Sequence, residues 1–285
     1  MKTIFRLFSI TLCAIALFSS CDKIESDNYI VFSGAEGEWY SGNGVSDKSQ
    51  RALIEKYTGV RCVNCPVADT AINTAVGQYG DKLIAIAIHD SSSFTLPFGS
   101  NPRLSTPDGQ AWSLFFGVRS AAMYPNALVS RTSTGGTWDL FTPTSGINSR
   151  VDNVLSQPAQ VAIDVNATRL DNSISITADI ELLQNISDKM TLTLLIMEDS
   201  INATQLMPDG SRNNEYIHNH ILRDVITDIW GTDIDCNGTA GEKKMATFSY
   251  SEFDNTWILD NCHIVAFVSM KDSRTILNVA ECVID

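Results

Sequence analysis

The chain has 285 residues, of which 44% are hydrophobic and 19% are charged, and its formal net charge is −13 at pH 7. This length suffices for one large domain or two smaller ones, with a full hydrophobic core that needs no disulfides. The excess of acidic residues argues against binding to nucleic acid and against charge-driven binding to anionic lipid.

Residues 1–20 have the pattern of a secretory signal peptide. Lys2 and Arg6 precede an apolar run, which is too short to span a membrane, and small residues follow it. The sequence "FSSC" resembles the bacterial lipobox, although Phe18 stands where leucine is usual. We therefore expect a lipoprotein signal peptide, with Cys21 lipidated and holding the protein on a membrane. The alternative is a plain signal peptide in which Cys21 is incidental.

Residues 21–48 are polar and rich in Ser, Gly and Asp, which predicts a tether with one short strand at "YIVF". The sequence pattern changes at residue 51, where segments typical of strands and helices begin. A strand in "ALIEKYTG", a helix in "PVADTAINTAVGQYG" and a buried strand in "KLIAIAIHD" predict a β–α–β unit with a parallel strand pair.

An irregular insertion follows this unit. After it we predict a short helix in "DGQAWSLFFGV" capped by Asp108, a strand in "YPNALVSRT" and a last helix in "TSGINSRVDNVLSQ". We place this α/β domain at residues 49–157.

Residues 158–285 change class, because apolar and polar residues alternate between turn signals. This pattern predicts an all-β antiparallel sandwich, immunoglobulin-like in type. Its strands are expected in "AQVAIDVNATRL", "SISITADIELL", "KMTLTLLIMED", "KKMATFSYS", "CHIVAFVSM" and "TILNVAECVI". Residues 207–238 show no strand texture and are interpreted as a long crossover, whose cluster "IHNHILRD" is expected at a domain interface.

Cys62 and Cys65 form a CxxC motif between the first predicted strand and helix. A zinc site would need about four ligands and no second CxxC exists, so we expect no metal and no cofactor. A static disulfide and a redox-active pair remain open. A helix N-terminus stabilises a thiolate, and the spacing lets Cys65 resolve a mixed disulfide formed by Cys62.

The order strand, CxxC, helix, strand, followed by "MYPNALV", resembles the thioredoxin fold. The resemblance implies that Pro125, preceded by Tyr124, is a cis-proline that faces the CxxC motif and helps to hold the substrate chain. The chain departs from active thioredoxins at Arg61, where they carry tryptophan, and at Pro66, which biases Cys65 away from helical backbone angles.

Accessory roles are predicted for residues near the motif, each with a plain alternative. The charge of Arg61 could favour a thiolate on Cys62, or its side chain could simply be solvated. Glu55 is the nearest candidate for the buried acid of thioredoxins, or it lies on the surface. His89, at a strand end, could shuttle protons or be a satisfied structural histidine.

The sequence does not determine how the remaining cysteines pair, which are Cys236, Cys262 and Cys282. Cys262 and Cys282 lie on successive strands and would face each other across a turn centred at residue 272. A bond between Cys236 and Cys262 is the rival pairing.

The stretches "ALIEKYTGVRCVNCP", "YIHNHILRDVITDIWG" and "NCHIVAFVSMKDSRTILNVAE" together resemble the outer membrane protein twenty-eight (Omp-twenty-eight-like) family of exported lipoproteins. The resemblance implies a thioredoxin-like domain followed by a β-sandwich, and an outer-membrane address on the periplasmic face or the cell surface. It brings no agreed reaction. We hypothesise thiol–disulfide exchange with envelope proteins; the alternative is a non-catalytic interaction protein with a structural disulfide.

Overall fold

The computed structural model describes residues 35, 37–90, 92–118 and 124–285. The predicted signal peptide, Cys21 and the short strand at "YIVF" lie outside the described residues. The described part of the chain belongs to one compact unit. Within that part, no helix has the length and apolar character needed to cross a bilayer.

The described residues form helices in the first half of the chain and strands throughout. The helices are α1 (Cys65–Tyr79), α2 (Pro107–Phe115) and α3 (Ile147–Leu155). The strands are β1 (Glu38–Ser41), β2 (Ala52–Thr58), β3 (Leu83–His89), β4 (Asn126–Val129), β5 (Ser133–Thr134), β6 (Thr137–Trp138), β7 (Val161–Arg169), β8 (Ile174–Leu182), β9 (Met190–Glu198), β10 (Ile201–Asn202), β11 (Gln205–Leu206), β12 (Arg212–Asn213), β13 (Ile217–His218), β14 (Ile221–Val225), β15 (Thr232–Asp233), β16 (Lys243–Tyr250), β17 (Cys262–Met270) and β18 (Ile276–Val283).

Two large sheets make the fold mostly β. The smaller sheet has the order β1-β16-β8-β7, and the larger has the order β18-β17-β9-β14-β3-β2-β4, with β15 beside β9. Apolar side chains of β7, β8 and β16 pack against those of β9, β17 and β18 in one buried cluster. Strand β8 illustrates how the sequence produces this cluster. From Ile174 to Ile180 every second residue points inward and is apolar, whereas the polar residues between them are half-buried; the inward residues are Ile174, Ile176, Ala178 and Ile180.

The predicted β–α–β unit is confirmed. Strands β2 and β3 pair in parallel from Ala52 beside Leu83 to Thr58 beside His89, and α1 connects them. Strand β4 pairs with β2 in the antiparallel direction. Helices α1 and α3 cover one face of these strands, where Ile54 and Ala85 meet Ile72 and Val151.

The larger sheet runs from one predicted domain into the other. Strand β14 pairs with β9 and also, in parallel, with β3 through Ile221 beside Ala87. The prediction of a crossover without strands is therefore wrong. Arg223 and Asp224 interrupt the apolar pattern of β14, and a bulge between Leu222 and Asp224 breaks its alternation. The boundary at residues 157/158 stays a prediction.

Two local predictions need correction. Residues 38–41 fall inside the predicted tether but form β1, because Trp39 packs against the apolar core beside β16. The cap of α2 is Thr106 and not Asp108: the Thr106 hydroxyl accepts a hydrogen bond from the Gly109 amide at 3.0 Å. Pro107 then occupies the first turn, where its missing N–H costs nothing.

The predicted facing of Cys262 and Cys282 is wrong. Cys282 lies beside Ile264 on β17, and a bulge between Val268 and Ser269 shifts the register of this hairpin. Cys236, Cys262 and Cys282 are all free thiols, so the rival Cys236–Cys262 bond is not formed either.

Candidate functional site

The CxxC motif lies in the turn between β2 and α1. A disulfide joins Cys62 to Cys65, with 5.4 Å between their Cα atoms. Cys65 is the first residue of α1 and Pro66 stands in its first turn, while Cys62 lies in the turn before the helix. The proline is tolerated there because the first amides of a helix have no partner within it.

Both cysteines are buried although the turn that carries them reaches the surface. Cys62 is 3% exposed and Cys65 is fully buried, whereas Val63 between them is 38% exposed. A thiolate can exchange with a disulfide only by reaching one of its sulfurs. Access to this disulfide therefore requires a movement of the groups around it.

The predicted cis-proline is confirmed: the Tyr124–Pro125 bond is cis. Asn126 follows it and pairs with Tyr57 near the end of β2. Pro125 therefore lies at the same end of the sheet as the chain that leaves β2 toward Cys62.

Asp90 holds the residue before the cis-proline. Its buried carboxylate accepts hydrogen bonds from the Tyr124 hydroxyl and, at 2.8 Å, from the Ser113 hydroxyl. Burial and the Asp90 carboxylate raise the pKa of Tyr124. Sequence reasoning missed this role of Asp90, although its position directly after a buried strand was a usable signal.

The Arg61 side chain binds the loop at residues 92–98. Its guanidinium donates to the Leu96 carbonyl at 2.7 Å and to the Pro97 carbonyl at 2.9 Å, and it stacks on the Phe98 ring at 4.1 Å. The Arg61 side chain is half-buried and bound to this loop, and its predicted effect on a Cys62 thiolate stays a prediction. Arg61 fastens this loop to the turn that carries Cys62.

Glu55 lies on the face of β2 that turns away from α1. It is fully buried, and Arg131 donates to it at 2.9 Å from Nε and at 2.8 Å from Nη2. The Arg131 guanidinium in turn stacks on Trp112 of α2 and on Phe267 of β17. The alternative of a surface position for Glu55 is wrong.

The polar pair on the α1 side consists of Lys56 and Asp69. Lys56 makes an ion pair with Asp69, which lies one helical turn beyond Cys65, and the Tyr216 hydroxyl donates to Asp69 at 2.7 Å. Burial lowers the pKa of Lys56 to about 7, and the adjacent carboxylate opposes that shift. A cavity of about 30 Å³ beside this pair is lined by Lys56, Asp69, Tyr216 and His218. Sequence reasoning missed the pair because its members are distant in the chain.

His89 ends β3 on the same face. It is 2% exposed, and neither ring nitrogen has a hydrogen-bond partner among the described residues. The His218 ring lies 6.0 Å away and its Nε2 is 3.2 Å from the Ala203 carbonyl. Burial lowers the pKa of His89 well below its usual value and that of His218 to about 4, so both rings are neutral at pH 7.

Comparison with known proteins identifies the family. The family model described as "Outer membrane protein Omp28" matches residues 116–285. The chain belongs to the Omp28 family. Membership associates it with the outer membrane. No curated protein matches the chain.

Two solved structures share this fold at 14% sequence identity, and a third solved structure matches the chain at a lower TM-score. HBP35 of Porphyromonas gingivalis is 14% identical, with a TM-score of 0.66 over 84% of this chain and 76% of that one. Protein AGR_C_4864 from Agrobacterium tumefaciens is 14% identical, with a TM-score of 0.51 over 84% and 97%. A domain of the outer membrane lipoprotein Omp28 from Porphyromonas gingivalis is 20% identical over 45% and 91%, with a TM-score of 0.32.

Proposed function

We propose that this Omp28-family protein is a lipid-anchored envelope protein that exchanges disulfides with other envelope proteins through Cys62 and Cys65. In this proposal residues 49–157 are a thioredoxin-like domain and residues 158–285 an immunoglobulin-like β-sandwich. Cys21 carries the lipid anchor.

One observation carries the proposal. The Cys62–Cys65 disulfide lies at the N-terminus of α1, at the same end of the sheet as the cis Tyr124–Pro125 bond. The helix dipole and the free amides of the first turn stabilise a thiolate that leaves at this position. The parallel β2–β3 pair, with β4 antiparallel beside β2, supports the thioredoxin-like assignment.

The exchange proceeds through a mixed disulfide. A substrate thiolate attacks the Cys62 sulfur, the Cys62–Cys65 bond breaks, and Cys65 leaves as a thiolate that takes up a proton. A second substrate thiolate then attacks the substrate sulfur of the mixed disulfide and releases Cys62. The substrate dithiol is thereby oxidised by two electrons and the CxxC pair is reduced; the reverse sequence reduces a substrate disulfide.

A turnover assay tests the proposal. The full-length protein should accelerate the reduction of insulin disulfides by dithiothreitol, and Cys62→Ser should abolish that acceleration because the attacked sulfur is gone. Cys282→Ser is the matched control, since Cys282 is a free thiol outside the motif. A wild-type rate equal to that of dithiothreitol alone would contradict the proposal.

The burial of both cysteines favours a second candidate, a non-catalytic interaction protein in which the disulfide is a staple. The two candidates differ in reduction potential. Structural disulfides lie below about −300 mV, whereas exchange-active pairs lie at about −120 to −270 mV.

The anchor is tested separately. Cys21→Ser should move the protein from the membrane fraction to the soluble fraction, because acyl chains supply the membrane affinity. Mass spectrometry of the mature N-terminus should show acylated Cys21. An unmodified Cys21 would contradict this part of the proposal.

A further inference from the structure

A segment from the second predicted domain lies against the CxxC turn. The chain leaves the larger sheet after β9 and returns to it at β14, and residues 199–220 between them are here named the cover segment. It contains two short ribbons, β10 paired with β13 and β11 paired with β12.

Backbone groups of the CxxC turn are bound directly by the cover segment. The Leu206 amide donates to the Val60 carbonyl at 2.8 Å, and the Gln205 side-chain amide donates to the Cys62 carbonyl at 3.0 Å. Gln205 is 2% exposed, so its hydrogen bond is shielded from water. β11 thus lies directly beside the first cysteine.

Further contacts extend to either side of the disulfide. Apolar side chains of the cover segment pack against those near the turn in one cluster, which comprises Val60, Ala87, Phe98, Leu104, Ile201, Ala203, Leu206 and Ile221. On the α1 side, the Tyr216 hydroxyl reaches Asp69, and the His218 ring meets His89. The cover segment therefore contacts the loop before Cys62 and the helix after Cys65.

The cover segment joins the sheet through a narrow neck. Ser200 and His220 both have a left-handed backbone, with φ of 61° at each, although neither is glycine. The Asp199 carboxylate accepts a hydrogen bond from the His220 amide, and the Asn219 side chain accepts one from the Ser200 amide at 2.9 Å. The chain therefore enters and leaves the segment side by side, and two hydrogen bonds join its ends.

We propose that the cover segment is a gate: the Cys62–Cys65 disulfide exchanges only when residues 199–220 have moved away from the CxxC turn, and Gln205 and Leu206 hold the gate closed. This inference rests on the proposed exchange function and adds its regulation. Its physical basis is that an attacking thiolate must reach the Cys62 sulfur, which belongs to a residue only 3% exposed.

The test measures access to the disulfide without reference to catalysis. Dithiothreitol reduces the full-length protein under native conditions: its thiolate attacks one sulfur, its second thiol closes the ring, and two protein thiols are released. Timed alkylation and peptide mass spectrometry then give the rate constant at Cys62 and Cys65. The same measurement in urea gives the rate constant for the unprotected disulfide.

The gate predicts a native rate constant well below that of the unfolded chain. Gln205→Ala removes the side-chain hydrogen bond to the Cys62 carbonyl, and this loss should raise the rate constant by about tenfold. Leu206→Ala keeps the backbone hydrogen bond to Val60 but removes the apolar packing of the Leu206 side chain, and this loss should raise the rate constant by about tenfold as well. Asp209→Ala is the matched control, because Asp209 lies at the exposed tip of the same segment and should leave the rate unchanged. Hydrogen exchange of residues 199–220 should rise in the two faster variants.

A native rate constant equal to that in urea would overturn the gate, whatever the variants do. Native rates that are slow but identical in folded Gln205→Ala, Leu206→Ala and wild type would overturn it as well. The insulin assay separates this outcome from a failure of the proposed function. Faster reduction in the variants without any turnover would uphold the gate and refute exchange, whereas turnover with unchanged access would do the reverse.

Discussion

Neighbouring residues of β2 form two buried ion pairs on opposite faces of the same sheet. Glu55 pairs with Arg131 on the α2 side, where side-chain exposure is 0% and 1%. Lys56 pairs with Asp69 on the α1 side, where exposure is 10% and 17% and a cavity adjoins the pair. The first pair is closed off by aromatic rings, whereas the second lies one helical turn from the disulfide.

The two pairs differ in what their cations can do. An arginine guanidinium keeps its proton in proteins, and its planar fork matches a carboxylate. A buried lysine can lose its proton, and burial brings the pKa of Lys56 to about 7. We infer that the first pair stabilises the fold, and that the lysine of the second pair, one helical turn from the Cys62–Cys65 disulfide, is the cation that can lose its charge.

The largest expected loss of stability is at the Glu55–Arg131 pair, whose arginine stacks on Trp112 and Phe267 in what we name the aromatic cage. Arg131→Met should lower the free energy of unfolding by about 3–5 kcal/mol, because it leaves the Glu55 carboxylate buried without a counter-charge. Urea unfolding measures the difference. Arg150→Met is the control, since Arg150 lies on the exposed side of the Phe141 ring. A loss below about 1 kcal/mol would show that the cage tolerates an unpaired acid.

The next effect is acid destabilisation from the histidines beside the Lys56 pair. The unfolded chain protonates His218 below pH 6.5, but the folded chain does so only near its pKa of about 4, so stability falls as pH drops between these values. Between pH 6.5 and pH 4, the protonation of His218 alone should lower the free energy of unfolding by about 3 kcal/mol. His218→Gln should remove that part of the pH dependence, and an unchanged slope of stability against pH would refute the lowered pKa.

Removing the acid from each pair compares them directly. Asp69→Asn should cost about 2 kcal/mol at pH 6, and less at pH 9, because Lys56 can then shed its proton. Glu55→Gln should cost the same at both pH values, because Arg131 stays charged. Urea unfolding at the two pH values gives both differences. A cost of Asp69→Asn that does not change with pH would contradict the assigned difference between the cations.

The smallest expected loss of stability is at Arg61, a cation near the surface. Arg61→Met should cost about 1 kcal/mol, since it removes two partly exposed hydrogen bonds and a stacking contact with Phe98. Thermal unfolding beside Arg103→Met, which loses only a contact to Ser105, measures the difference. If Arg61→Met costs as much stability as Arg131→Met, burial does not determine how much each arginine contributes to stability.

The elements around the CxxC motif could be predicted because each has a local signal. The continuous apolar run of β3 indicates a strand buried on both faces, and the proline before β4 marks where that strand begins. Strand alternation, however, does not say which face of β2 lies under α1. Glu55 was therefore the predicted acid, whereas the structure places Lys56 and Asp69 on the α1 side.

The parts that could not be predicted depend on contacts between distant residues. Gln205 lies 143 positions from Cys62, and nothing in its neighbourhood marks it as a partner of the CxxC turn. Strand β14 is short, carries Arg223 and Asp224 and contains a bulge, so it lacks the period that identifies strands. The contact between Gln205 and the CxxC turn therefore could not be predicted from the motif.

The reduction potential of the Cys62–Cys65 disulfide tests the central claim most directly. The full-length protein is equilibrated in thiol buffers of known potential without denaturant, and the fraction of reduced Cys62 and Cys65 is read by alkylation and mass spectrometry. Thiol–disulfide exchange predicts a midpoint between about −120 and −270 mV. A midpoint below about −300 mV would contradict it and identify the disulfide as a staple.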